Sequence, residues 1–219
     1  MERYFVFDQY NTWTDWGLIL TAKTDVTPPE VKTNYVDIAG MSGSLDLSDV
    51  LSGEPTFEMR TFSASFCACD TSYLARRQLM ASIIAAIHGR NQRIIEPDDP
   101  GHYFLGRAMV KNVNHTASHT EFTVECICEP WRYEIKETVQ VIPVNSAKPL
   151  DVRIHNSGRK TICPDITVSG QVTFTCQGVT SQATDGKYKI TTFKLYQGEN
   201  VIQVSGSGTL TLTYKRADL

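Results

Sequence analysis

The chain has 219 residues, 41% hydrophobic and 21% charged, with 21 Lys+Arg against 24 Asp+Glu for a formal net charge of −3. This composition is too apolar for disorder and contains no apolar run of bilayer-spanning length, so it predicts a folded protein of one large or two modest domains without membrane insertion. Through Ser146 there are 12 Lys+Arg against 19 Asp+Glu, and from Ala147 onward 9 against 5, so an acidic front precedes a basic rear and neither offers the basic stripe of a stable nucleic-acid grip.

The opening residues 1–8 are acidic and aromatic, without the basic and apolar regions of a secretory signal, and predict a chain that stays where it is made. Alternating apolar runs then predict strands over 4–7, 18–24, 31–38, 44–47, 57–69, 93–96, 103–114 and 120–129. Turn signals separate such runs: Trp16-Gly17, Gly40-Met41-Ser42-Gly43, Asp98-Asp99-Pro100-Gly101, Asn156-Ser157-Gly158 and Gly206-Ser207-Gly208. One helix is predicted over 72–88. It starts at Asp70-Thr71-Ser72 and stops at Gly89, with Leu79, Met80, Ile83, Ile84 and Ile87 as its apolar stripe and Arg76 and Arg77 on the other side. His88 at its end suits the negative pole of the helix dipole.

Residues 141–149 carry Pro143 and Pro149 among small polar residues, where the charge changes sign. They predict a front domain over 1–142, a linker over 143–149 and a rear domain over 150–219. In the rear, short runs at 150–155, 162–168, 172–176, 187–190, 192–196, 201–204 and 209–214 describe a small antiparallel sandwich. The fold class is therefore mainly β: a β-sandwich or split-barrel-like front domain with one α-helix, then a small antiparallel β-sandwich.

Chemistry is sparse. Cys67/Cys69 and Cys126/Cys128 could supply four thiolates to zinc, but both pairs lie in strand-like runs without the turn of a metal knuckle, and read better as small hydrophobes. With no secretion signal, a disulfide framework is not expected. His115 and His119 fall at a hairpin tip, and Asp98 and Asp99 form a turn and not a converging acid/base pair. No phosphate-binding glycine loop or nucleophile elbow occurs, so no catalytic group, metal or cofactor is expected. Rear-domain aromatics Phe174, Tyr188, Phe193, Tyr196 and Tyr214 fit either an inward core or an exposed sugar-stacking platform. A carbohydrate-binding module that adheres to a host surface is thus one reading, and a cell-wall hydrolase, which needs a cleft of convergent titratable groups, a weaker one.

Motifs along the whole chain resemble the distal tail proteins of long-tailed phages of Gram-positive bacteria and of related tail-like particles. Trp16-Gly17-Leu18-Ile19-Leu20 is similar to the family's opening strand, followed by Pro28-Pro29-Glu30-Val31-Lys32 and by Val36-Asp37-Ile38-Ala39-Gly40-Met41-Ser42-Gly43-Ser44-Leu45-Asp46-Leu47. Arg60 then leads a long strand into a helix ending Ile87-His88-Gly89. Asp98-Asp99-Pro100-Gly101-His102-Tyr103-Phe104-Leu105-Gly106-Arg107 resembles the family's next turn and strand, Cys128-Glu129-Pro130-Trp131-Arg132-Tyr133 its exit, and Gly198-Glu199-Asn200-Val201-Ile202 its ending.

The resemblance implies a structural virion protein. Its front domain would form a hexameric ring, with a galectin-like β-sandwich at the periphery. The ring would be a hub at the distal end of the tail, assembled in the host cytoplasm. Its partners would be the major tail tube protein, the tail-tip or baseplate protein and, in some relatives, a receptor-binding protein. On that reading Gly40, Met41, Ser42 and Gly43 form either a hairpin tip reaching a neighbouring subunit or an internal turn. Asp46, Asp49, Glu54 and Glu58 either face a lumen that repels DNA phosphates or are spread for solubility.

Overall fold

The computed structural model describes residues 3–69 and 72–219, so Asp70 and Thr71 of the predicted helix start lie outside the described residues. The chain forms two compact units, residues 1–132 together with Leu219, and residues 133–218.

The first unit contains β1 (Val6–Phe7), β2 (Tyr10–Asn11), β3 (Ile19–Lys23), β4 (Tyr35–Asp37), β5 (Ser44–Asp46), β6 (Arg60–Ala68), α1 (Tyr73–Ile87), β7 (Asn91–Ile95), β8 (His102–His115) and most of β9 (Thr120–Glu134). Its main sheet runs β2-β1-β7-β8-β9-β6-β3. In β6 the buried residues are Arg60, Phe62, Ala64, Phe66 and Ala68, and in β9 Thr120, Phe122, Val124, Cys126 and Cys128, a strict alternation that turns one face inward. The sheet is curled into a half-barrel. Phe5, just before β1, lies 6.4 Å from Phe62 and 6.0 Å from Phe66 between ring centroids, although β1 and β6 are four strand spacings apart along the sheet. In a flat sheet that separation would be about 19 Å.

Helix α1 adds Met80, Ile83 and Ile87 to this core. Ser72 caps it, accepting the Ala75 N–H at 3.0 Å, and the chain leaves it through His88 and Gly89, the latter at φ 74°. His88 does not act as a cation here: its Nδ1 accepts the Val110 N–H at 3.1 Å, which an imidazolium could not do, and the bond ties α1 to β8. The expectation for Arg76 is corrected. It is 1% exposed and stands in the buried stripe with Met80, Ile83 and Ile87, whereas Ile84 is 41% exposed. Positions 76, 80, 83 and 87 share one helix face, and the guanidinium is tolerated there because it donates to the carbonyls of Thr116 (3.0 Å) and Ala117 (2.9 Å) in the β8–β9 turn. Arg76→Met, which keeps the bulk and removes both bonds, is expected to cost about 2 kcal/mol in urea unfolding.

The second unit contains β10 (Thr138–Asn156), β11 (Asp165–Cys176), β12 (Val179–Ala183), β13 (Gly186–Lys189), β14 (Gly198–Tyr214) and β15 (Ala217–Asp218). Its sheet runs β10-β14-β11-β12, with β13 also on β11, and β15 pairs β9. The stretch 143–149 is not a linker. Pro143 to Ser146 pair with Thr209 to Gly206, and the register shifts only between Ser146 and Leu150, where a bulge interrupts β10. Two prolines suit this position because β10 is an edge strand, with one row of N–H groups outside the ladder. The break between units falls earlier, at Arg132/Tyr133, inside β9.

The buried residues of β10, β11 and β14 are all even-numbered, and those from Ile142, Ile166 and Leu212 to Ile154, Phe174 and Ile202 belong to a single core cluster. One sheet buries one face this fully by folding over it. The fold line is marked by glycine: at Gly208 (φ 155°) a Cβ would meet Ser169 O at 2.0 Å, and at Gly206 (φ 122°) Gln171 O at 2.3 Å. Here the backbones of β11 and β14 approach more closely than any side chain allows.

Candidate assembly surface

The segment from Glu30 to Met59 stands apart from the core. Glu58 N–H donates to Glu30 O and Lys32 N–H to Thr56 O, both at 2.8 Å, so the two ends of the segment are held together. Beneath this neck Phe57 packs edge-on against Trp131 at 5.6 Å. Between the ends, β4 and β5 pair only with each other, in the register Tyr35↔Asp46, Val36↔Leu45 and Asp37↔Ser44. Every residue of both strands is exposed.

An isolated two-stranded hairpin is marginally stable in water, and this one presents apolar groups on both faces. Tyr35 is 60% exposed on one face, and Val36, Ile38 and Leu45 are also exposed; Val50 and Leu51 follow, Leu51 fully so. Gly40 and Gly43 form the bend between the strands, at φ 84° and 79° with nothing within 4 Å of a built Cβ, and Met41 is 48% exposed there. Glycine serves here for backbone conformation alone, since there is no neighbour to avoid. The sequence singled out the bend with its flanking strand residues Ile38 and Leu45, but not the exposed Tyr35, Val36, Val50 and Leu51. Their signal was present in Tyr35-Val36 and Val50-Leu51 set among Asp, Ser and Gly, a pattern that reads equally as an ordinary half-buried strand.

Asp46, Asp49, Glu54 and Glu58 all lie exposed on this arm. Ser48 donates its hydroxyl and N–H to Asp46, holding that carboxyl below the usual aspartate range. Glu58 faces Lys32 at 4.0 Å. Among arginines of the first unit, Arg60 and Arg76 are buried, while Arg77 and Arg107 are exposed.

Elsewhere polar groups are engaged in structure. Lys23 of β3 bonds Glu96 at 2.5 Å and Asp98 at 2.7 Å, and Arg3 takes Asp98 at 2.7 Å, so the cluster ties β3 to the end of β7 across the open side of the curled sheet. Asp99 turns away to His102 (2.8 Å) and Arg132 (3.1 Å). Burial opposes the charge on Lys23, but its bonds to Asp98 and Glu96 outweigh burial and raise its pKa; Lys23 and Arg3 lower that of Asp98. The lowered carboxyl contributes at neutral pH and stops contributing as pH falls through its folded-state value, while the raised amine contributes until pH climbs through its own. Asp98→Asn is therefore expected to be less stable than the parent at pH 7, with the difference vanishing in acid, as followed by thermal melts across pH.

The cysteine pairs do not converge. Cys126 and Cys128 are buried on the inner face, and burial raises both thiols, Cys128 to about 12. Cys67 alternates with the buried Phe66 and Ala68, on the opposite face. Among the described residues no group of three or more His, Cys, Asp or Glu could hold a metal. His115 and His119 flank the tight β8–β9 turn as expected, bonding Thr120 Oγ1 (2.9 Å) and Ser118 Oγ (2.9 Å). Of the five rear aromatics Phe174, Phe193 and Tyr214 are buried and Tyr188 packs on the core, leaving Tyr196 exposed and no platform among them. A concavity of about 530 Å³ near the β10 bulge is lined by Asn145, Ser146, Gln171, Thr173, Ser205 and neighbours, none of them titratable.

No protein-family model matches the sequence, and neither does any curated protein sequence. Among solved structures the chain is similar to the Dit protein (gp 19.1) of SPP1, described as a paradigm of the hub adsorption apparatus in phages infecting Gram-positive bacteria. The TM-score is 0.71 at 13% identity, over 97% of this chain and 98% of that one. Two structures of the phage P2 baseplate in its activated conformation, with Ca and with Sr, align over 98% and 97% of this chain at 7% identity, with TM-scores of 0.39 and 0.37, too low to weigh. The mainly β architecture read from the sequence is thus that of a Dit-type fold.

Proposed function

We propose that this chain is a structural hub of a phage tail, a ring-forming protein without enzymatic activity. The observation that carries the reading is the Glu30–Met59 arm: on a Dit-type fold, a hairpin with exposed apolar groups on both faces supports contact with a second copy. Each subunit would lend its arm to the next, a head-to-tail contact that closes into a ring, six-fold as the family resemblance implies. Gly40, Met41, Ser42 and Gly43 would lie in that contact. The ring would join the major tail tube protein on one side to the tip or baseplate protein on the other, in the virion, with a receptor-binding protein at its periphery.

The acidic residues of the arm extend the reading. With Asp46, Asp49, Glu54 and Glu58 exposed and Arg60 and Arg76 buried, a lumen partly lined by arms would repel phosphates over about 8 Å at physiological salt. Multi-angle light scattering and electron microscopy of the purified chain, alone and with the tube protein, test the proposal. A ring is the expected result. A strict monomer at tens of micromolar under both conditions overturns the hub, and a ring whose lumen is neutral or lined by Arg77 and Arg107 overturns the acidic wall alone.

A further inference from the structure

Cys67 and Cys69 share the C-x-C spacing of Cys126 and Cys128 but not their surroundings. The inner pair is fully buried within the continuous strand β9. Cys67 is half-buried on the outer face of β6, in register with Glu121 of β9 and Ile19 of β3, and β6 ends at the next residue. Cys69 therefore lies beyond the strand, exposed, beside a concavity it lines with Trp16, Gly17, Ala68 and Leu79. In an uninterrupted strand, residues two apart are held at about 6.6 Å, near the upper limit of Cα separation for a disulfide. Once the strand ends the two side chains come together: Sγ of Cys67 and Sγ of Cys69 are 3.2 Å apart, in hydrogen-bond contact.

We propose that Cys67 and Cys69 form a reversible dithiol–disulfide site that accepts low-molecular-weight disulfides such as oxidised glutathione. The exposed Cys69 thiolate attacks the small disulfide, forming a mixed disulfide and releasing one small thiol. The Cys67 thiol, which burial pushes up to about 11, gives its proton to solvent, and the thiolate attacks Sγ of Cys69 and expels the second small thiol as its thiolate, which takes up a proton. Two protein thiols are oxidised to one disulfide, and one small disulfide is reduced to two thiols. The sulfurs must close from 3.2 Å to the bonded distance of about 2.05 Å. The product pins the end of β6 to the segment leading into α1, three residues before its cap Ser72. The site is independent of the hub reading, since neither cysteine lies on the arm.

The tryptic peptide 61–76 carries these two cysteines and no others. The full-length chain is incubated with excess oxidised glutathione at pH 8, alkylated in denaturant and mapped by mass spectrometry. The expected product is peptide 61–76 lacking two hydrogens, with no alkyl group, restored to two alkylated cysteines by reduction. Cys67→Ser should instead hold a stable glutathione adduct on Cys69; serine at a half-buried outer position leaves the fold intact. Closure of the mixed disulfide should be at least tenfold faster in the native chain than in 8 M urea. Two free thiols after native treatment, a persistent adduct in the parent, no adduct in Cys67→Ser, or equal closure rates in urea would each overturn the site.

Discussion

On the proposed ring assembly, a chain carrying Leu45→Asp is expected to remain a folded monomer at concentrations where the parent would assemble. Leu45 lies directly opposite Val36 on one face of the hairpin, and both are exposed in the isolated chain, so a carboxylate there faces water and costs the monomer little. In the ring the same group would be buried against the next subunit without a partner. An unpaired buried charge costs about 4 kcal/mol, roughly a thousandfold in the dissociation constant of each contact. Replacing Gly40 and Gly43 with Val should act in the same direction by another route. No neighbour lies within 4 Å of either built Cβ, but the positive φ is strained for a β-branched residue, so the bend changes shape while the core does not. Light scattering reports the assembly, and the urea transition of dilute protein reports the fold. Rings of normal size from both variants would remove the arm from the interface.

Gly208→Val is expected to have the opposite signature, loss of the second unit's fold in any oligomeric state. Its Cβ would fall 2.0 Å from Ser169 O and 3.0 Å from the Gly170 Cα, both backbone atoms of a paired strand that no side-chain rotation can move. The two strands would have to separate at Gly170/Gly208, and Val168 with its partner Leu210 on one side and Val172 on the other would lose their packing. A cost above about 4 kcal/mol follows from overpacking and backbone strain together. Two-domain unfolding monitored by calorimetry should show the second transition lost and the first retained. A second unit that still melts cooperatively near the parent temperature would refute the fold-line account.

The same glycines show what the sequence could and could not convey. Period-two alternation made β6 and β9 legible because each has one wet and one dry face, and 15 residues of three- and four-residue periodicity did the same for α1. Gly170, Gly206 and Gly208 were another matter. They divide β11 and β14 into pieces that each look like a complete short strand, because a glycine at a fold line and a glycine in a turn leave the same mark. Pro143 and Pro149 mislead in the same way, marking an edge and a bulge where composition suggests a linker. Arg76 defeated the helix reading because charge is normally a sign of the wet face, and the two carbonyls that satisfy it come from a turn 40 residues away. For the candidate surface, the bend at 40–43 was legible from its glycines. The bare apolar strands beside it were not, since exposure is a property of what the rest of the chain fails to cover.

The prolines of β10 also bear on what the edge of this sheet can attract. A 19-residue edge strand is a long template on which a stray extended segment, or a second copy, could lay down further strands and seed a fibril. Pro143 and Pro149 have no N–H to offer, and the bulge between Ser146 and Leu150 breaks the straight run of carbonyls. Between the two prolines at most residues 144–148 run uninterrupted, shorter than the segment of about six or seven residues on which a cross-β ladder builds, so the middle of this long edge is a poor template.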